Sequence, residues 1–126
     1  MIRGIRGATT VIKNIESEIL QNTKQLIEEM VTLNQVHPTS ISHVLISVTP
    51  DLNATFPAKA LRLLEGWTFV PVMCMTEINV PTGLPKCIRI MMVANTDISQ
   101  DKVQHVFHND AIYLRPDLQK EVEESQ

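Results

Sequence analysis

A chain of 126 residues with 44% apolar content and a net charge of −3 fits one globular domain, and it lacks the basic balance or stripe of a general nucleic-acid surface. Three Phe, one Trp and one Tyr stand beside six Met, so the core is expected to be aliphatic. Apolar windows fall short of a membrane span, Arg3 and Arg6 interrupt any leader-like start, and Cys74 and Cys87 have no metal-ligand spacing, which together predict a reduced, cytoplasmic protein that binds no membrane.

Residues 2 to 11 read as a first strand, in which Arg6 shares a pleat face with Ile2, Gly4 and Ala8. Asn14 is a candidate helix cap. Ile15, Ile19, Leu26, Met30 and Leu33 then recur at helical spacing, with Glu16, Glu18, Lys24 and Glu28 on the wet side. This predicts an amphipathic helix of about 17 residues lying on a sheet, with Asn34 and Pro38 marking its exit. Val44 to Thr49 reads as a second strand stopped by Pro50. Pro57 suits the first turn of a short helix running to about Glu65, on which Lys59 and Arg62 share a face and which Gly66 ends.

Phe69 to Cys74 reads as a third strand, and Pro71 argues that it is an edge. A loop from Pro81 to Pro85 leads to the most convincing strand, Cys87 to Ala94. Ser99 to Lys102 suits a turn or helix start, and His105 to Phe107 a short extended piece. Ala111 to Arg115 fits either strand or helical turn. The sum is an α+β fold: a single mixed β-sheet with one long covering helix. One helix cannot cover both faces of a sheet whose best strand is apolar on both, so oligomerisation through the sheet or its edges is expected.

Arg89 is the energetic anomaly of the sequence. Alternation puts Cys87, Arg89, Met91 and Val93 on one face of an otherwise apolar strand. Either its carbon stem snorkels to an edge, or its guanidinium fork meets a carboxylate or phosphate. Cys74 and Glu77 would face opposite ways in a regular strand, and they converge on one pocket if the chain leaves strand geometry near Met75. Glu77 could then serve a ligand or simply pair with Arg89. His37, His43, His105 and His108 show no ligand pattern, so no metal is expected, and no phosphate loop or nucleophile elbow is present. Several guanidinium groups and one carboxylate without a nucleophile suit electrostatic handling of a small dianion.

The ordered set Arg3-Gly4-Ile5-Arg6-Gly7-Ala8-Thr9-Thr10, Thr49-Pro50-Asp51-Leu52, Phe56-Pro57-Ala58-Lys59-Ala60, Cys87-Ile88-Arg89, Thr96-Asp97 and Leu114-Arg115-Pro116-Asp117-Leu118 resembles the monofunctional, trimeric chorismate mutases of the bacillus type. That resemblance covers about residues 2 to 118, and implies a domain over residues 1–118 with a polar tail at 119–126. It implies a ferredoxin-like subunit in a trimeric pseudo-barrel, conversion of chorismate to prephenate by Claisen rearrangement toward phenylalanine and tyrosine, no cofactor, and sites at subunit interfaces. By position, Arg89 would stabilise the breaking ether oxygen, Arg6 would hold a carboxylate, and Glu77 and Cys74 would meet the substrate hydroxyl. From the facing subunit, Phe56 would form an apolar wall, with Ala58, Lys59 and Arg62 near the mouth. Val72 and Met73 would line the pocket, and Leu114 and Arg115 would order over the ligand. The family often has tyrosine where this chain has Phe107, whose ring would still pack against substrate. The competing expectation is a noncatalytic trimeric binding protein for a small carboxylated metabolite.

Overall fold

A computed structural model describes residues 1–114 of the chain. Arg115 and the expected tail at 119–126 lie outside the described residues. Five strands form one mixed sheet in the order β3-β2-β4-β1-β5: β1 (Ile2–Thr10), β2 (Ile41–Val48), β3 (Val72–Thr76), β4 (Cys87–Asn95) and β5 (Val106–Phe107). One α-helix, α1 (Glu16–Asn34), covers one face. The class is α+β, as expected.

β4 runs antiparallel between β1 and β2, so the β1–α1–β2 crossover is split by an inserted strand. That is the ferredoxin-like part of the arrangement. The sheet departs from a fully antiparallel pattern at both margins, where β3 pairs in parallel with β2 and β5 in parallel with β1.

Period-2 alternation in β4 sorts its side chains as the sequence predicts. Ile88, Ile90, Met92 and Ala94 are buried in the cluster that also holds Ile19, Leu26 and Met30 of α1. Arg89, Met91 and Val93 stand on the opposite face, which no α-helix among the described residues covers; only the 3-10 helix Asn109–Tyr113 packs there, against Ala8 and Phe107 at the β1–β5 margin. On that face Met73 is 63% exposed, Met75 40% and Met91 38%. Gly7 lets α1 lie close, since a Cβ there would sit 2.4 Å from the Met30 sulfur.

Four local expectations are corrected. Ile15, not Asn14, caps α1 and makes no side-chain bond; Asn14 Oδ1 instead accepts the Asn53 and Ala54 N–H groups and ties down the loop after β2. The segment Pro57–Leu63 is a 3-10 helix, a form in which residues three apart eclipse, so Lys59 and Arg62 still share a side. β2 begins at Ile41, three residues earlier than the apolar run suggested. β3 begins at Val72, because Pro71 has no N–H to give and offers only its carbonyl to Val44, while Phe69 points into solvent at 96% exposure.

Candidate active site

The face of the sheet opposite α1 carries the polar groups. Arg89 lies opposite Ala8 on β1 and Ser47 on β2. Arg6 lies opposite Met91, two positions along β4 on the same face. Beyond the end of β3 the Glu77 N–H still reaches the Val48 carbonyl at 2.8 Å, so the edge strand keeps its ladder for one more residue. Arg6, Ser47, Glu77, Arg89, Phe107 and Leu114 thereby line one cavity of about 390 Å³. That volume suits a small ligand.

The carboxylate in this cavity is held by two donors. Ser47 Oγ donates to Glu77 Oε2 at 3.0 Å, and the Ile78 N–H donates to Oε1 at 3.0 Å. Arg89 Nε lies 3.3 Å from Oε2, close enough for an ion pair. Its N–H is nevertheless not aimed at that oxygen, and the buried Nε has no hydrogen-bond partner. The separation alone would suggest a satisfied pair; the missing alignment is the more informative observation, because a buried donor without an acceptor is costly.

Phe107 is buried beside Ala8, Ala111, Leu84 and Leu114. It is placed by β5, which pairs Phe107 with Ala8. The strand is only two residues long, and one position before it the Arg6 N–H donates to His105 Nδ1 at 2.9 Å, a ring nitrogen standing where a longer strand would offer a carbonyl. That bond requires Nδ1 without its proton. Asn109 donates to Thr9 Oγ1 and to the Thr10 carbonyl, both at 3.1 Å, which anchors the 3-10 helix Asn109–Tyr113 and brings Leu114 over the cavity.

The second set of expected residues lies elsewhere. Cys74 sits within regular strand geometry, faces the core and lines a separate cavity of about 460 Å³ with Phe56 and Lys59. It therefore does not converge with Glu77 in one chain, because the strand persists past Met75. The two cavities adjoin through Met75 and Thr76, which line both. Lys59 Nζ pairs with Glu16 at 3.3 Å on the surface. Thr55, and then Lys59, hold the Glu16 carboxyl below its ordinary value. The Ala58 backbone meets the Cys74 thiol. Arg62 is exposed and lines neither cavity. Val72 packs into the core rather than lining either cavity, and Met73 stands on the open face.

Burial pushes both thiols up. For Cys74 the Ala58 contact opposes this, and for Cys87 the neighbouring Arg89 does. Neither is a prepared thiolate. Among the described residues no group of three or more side chains could hold a metal, and no helix is long and apolar enough to cross a membrane.

Ser47, which lines the cavity, and His105, which bonds the Arg6 backbone beside it, are not among the expected residues. Ser47 carried a signal: it is the one polar residue inside the run Val44 to Val48, and alternation with Ile46 puts it on the Arg89 face. His105 carried none, since its role depends on where a two-residue strand stops.

Comparison with known proteins supplies the context. Residues 2–118 match the family model for chorismate mutase type I. The chain is 55% identical over 118 residues to chorismate mutase AroH of Bacillus subtilis strain 168, spanning 94% of this chain and 93% of that one. It is 41% identical over 120 residues to chorismate mutase AroH of Thermus thermophilus, spanning 94% and 98%. The solved chorismate mutase of Clostridium thermocellum superposes with a TM-score of 0.83 at 46% identity, covering 86% of this chain and 96% of that structure.

Proposed function

The chain belongs to the chorismate mutase type I family, and on that premise we propose that the Arg89 cavity is where it converts chorismate to prephenate. The protein is an isomerase of aromatic amino-acid biosynthesis. In the rearrangement one ether C–O bond breaks as one C–C bond forms, with no net proton or electron transfer. Negative charge collects on the ether oxygen as the bond stretches. A donor placed at that oxygen binds the transition state more tightly than the ground state, and that difference accelerates the step.

The unspent Arg89 Nε–H is the observation that carries this proposal. It is buried, charged and close to a carboxylate that other donors hold. Arg89 donates to the ether oxygen, Arg6 holds a substrate carboxylate, and Glu77 accepts from the substrate hydroxyl. Phe107 and Leu114 pack against the apolar parts of the ligand and help hold the enolpyruvyl arm over the ring.

The open face is the surface through which the chain assembles as a homotrimer in a pseudo-barrel. Met73, Met75 and Met91 are large apolar groups exposed on it, and burying such area drives association. In that assembly Phe56, Ala58, Lys59, Arg62 and Cys74 complete the neighbouring copy's site, with Lys59 and Arg62 adding positive field for the carboxylates. Val72 supports this half from behind, and Met73 reaches the interface. The location is the cytoplasm, and the reaction requires no cofactor.

Phe107 gives a test of the binding role. Its ring fills the place where related enzymes often carry a tyrosine, so Phe107→Tyr adds a hydroxyl beside the substrate carboxylates. A hydrogen bond to a charged group is worth about 1.5–3 kcal/mol, which corresponds to roughly tenfold or more in affinity. The expected result is a lower KM for chorismate with little change in kcat, read from ultraviolet loss of chorismate. An unchanged KM would remove Phe107 from the carboxylate end of the site.

A further inference from the structure

We propose that Ser47 is a positioning residue for the rearrangement, whose hydroxyl holds the Glu77 carboxylate out of alignment with the Arg89 guanidinium. This rests on the roles given to Arg89 and Glu77 above. Ser47 lies on β2, between Arg89 across one ladder and Met75 across the other. It donates to Glu77 Oε2, the same oxygen that stands 3.3 Å from Arg89 Nε.

The geometry is a competition for one oxygen. Arg89 and Glu77 have opposite charge and are already in ion-pair range. Charge-assisted hydrogen bonds are the strong ones, so the default outcome is an aligned Arg–carboxylate bond. Here the alignment is absent, and the other two donors fix the plane of the carboxylate from both sides. An aligned pair would spend the Nε–H that must meet the ether oxygen. It would also draw Glu77 off the substrate hydroxyl. Ser47 therefore acts through Glu77 and keeps both charged groups available.

Removing the hydroxyl should release the carboxylate toward Arg89. Ser47→Ala is expected to lower kcat/KM about tenfold, mainly in kcat, the scale of one hydrogen bond to a charged group. Ser47→Thr keeps a hydroxyl at the same position and is expected to recover activity to within about threefold of the parent. The discriminating readout is the double variant. In a Glu77→Ala background, Ser47→Ala should cost almost nothing further, because no carboxylate remains to be held. Circular dichroism melting of each variant checks that the fold is kept. An equal loss from Ser47→Ala in both backgrounds would overturn the proposal. So would parental activity of Ser47→Ala while Glu77→Ala is impaired, and in that case the role of Glu77 stands. Parental kcat in Glu77→Ala itself would instead remove the role of Glu77, and that of Ser47 with it.

Discussion

Arg89→Ala should lower kcat by roughly a thousandfold or more, the upper end of the cost of deleting one donor to a developing oxyanion, while the protein keeps its fold and sediments at three chain masses. The basis is that no other described guanidinium is in place to take over. Arg6 lies two positions away along the face and opposite Met91 rather than Arg89. Arg62 is exposed and lines neither cavity. Arg3 is committed to the Ile98 carbonyl at 2.9 Å. Arg89→Lys should recover little of the loss, because a point ammonium on a flexible stem cannot reproduce a planar fork whose Nε–H is already buried and fixed. Steady-state kinetics on chorismate, with near- and far-ultraviolet dichroism as the folding control, check both variants. Because the Arg89 side chain is 39% exposed and its ion pair with Glu77 is unaligned, deleting it should cost little stability.

The second large effect is on stability and begins at Asn34, far from the chemistry. This last residue of α1 is 1% exposed. Its Nδ2 donates to the Met30 and Gln104 carbonyls, and its Oδ1 accepts the Gln104 N–H, each at 2.8 Å. One amide thus ties the end of the helix to the residue preceding His105 and β5. Asn34→Ala leaves both backbone groups of Gln104 without that partner, at about 1–3 kcal/mol for each group left unsatisfied. The expected total is about 2–3 kcal/mol, read as a lower midpoint of urea unfolding at fixed protein concentration. The loosened segment carries His105 and Phe107, so KM for chorismate should rise more than kcat falls. A midpoint equal to the parent's would show that the Gln104 groups find other partners.

The sequence alone made the central anomaly legible. Period-2 alternation in Cys87 to Asn95 predicts which side chains of β4 meet α1 and which stand open, and the burial of Ile88, Ile90, Met92 and Ala94 agrees. The helix was readable for the same reason, since its apolar stripe is long and regular. Local chemistry was harder to place. Asn14 is a good capping residue by type, but its side chain reaches residues 53 and 54, a contact of long sequence separation that no local pattern carries. Phe69 and Val70 look like strand residues, yet a ladder needs donors, and Pro71 cannot supply one.

Cys74 shows the same limit at the site. Its convergence with Glu77 required the edge strand to end near Met75, and the pairing of Met75 with Ser47 and of Thr76 with Val48 keeps it straight. The thiol consequently faces the core-side cavity with Phe56 and Lys59. What the residues alone left open, a snorkelling arginine or an anion fork, also depended on distance and angle. A half-exposed Arg89 with a carboxylate 3.3 Å away would pass for an ordinary surface pair. The buried, unpartnered Nε–H and the two other donors on Glu77 separate the cases. The ligand itself came from the ordered motifs and from kinship with the chorismate mutases.

The most direct measurement follows chorismate by ultraviolet absorbance with the purified protein, in the absence and presence of a bicyclic dicarboxylate that mimics the transition state. The predicted result is conversion to prephenate without added metal or cofactor, inhibited competitively by the mimic. Tight binding of the mimic with no acceleration of chorismate loss would contradict it, and would leave a carboxylate-binding protein in place of an enzyme.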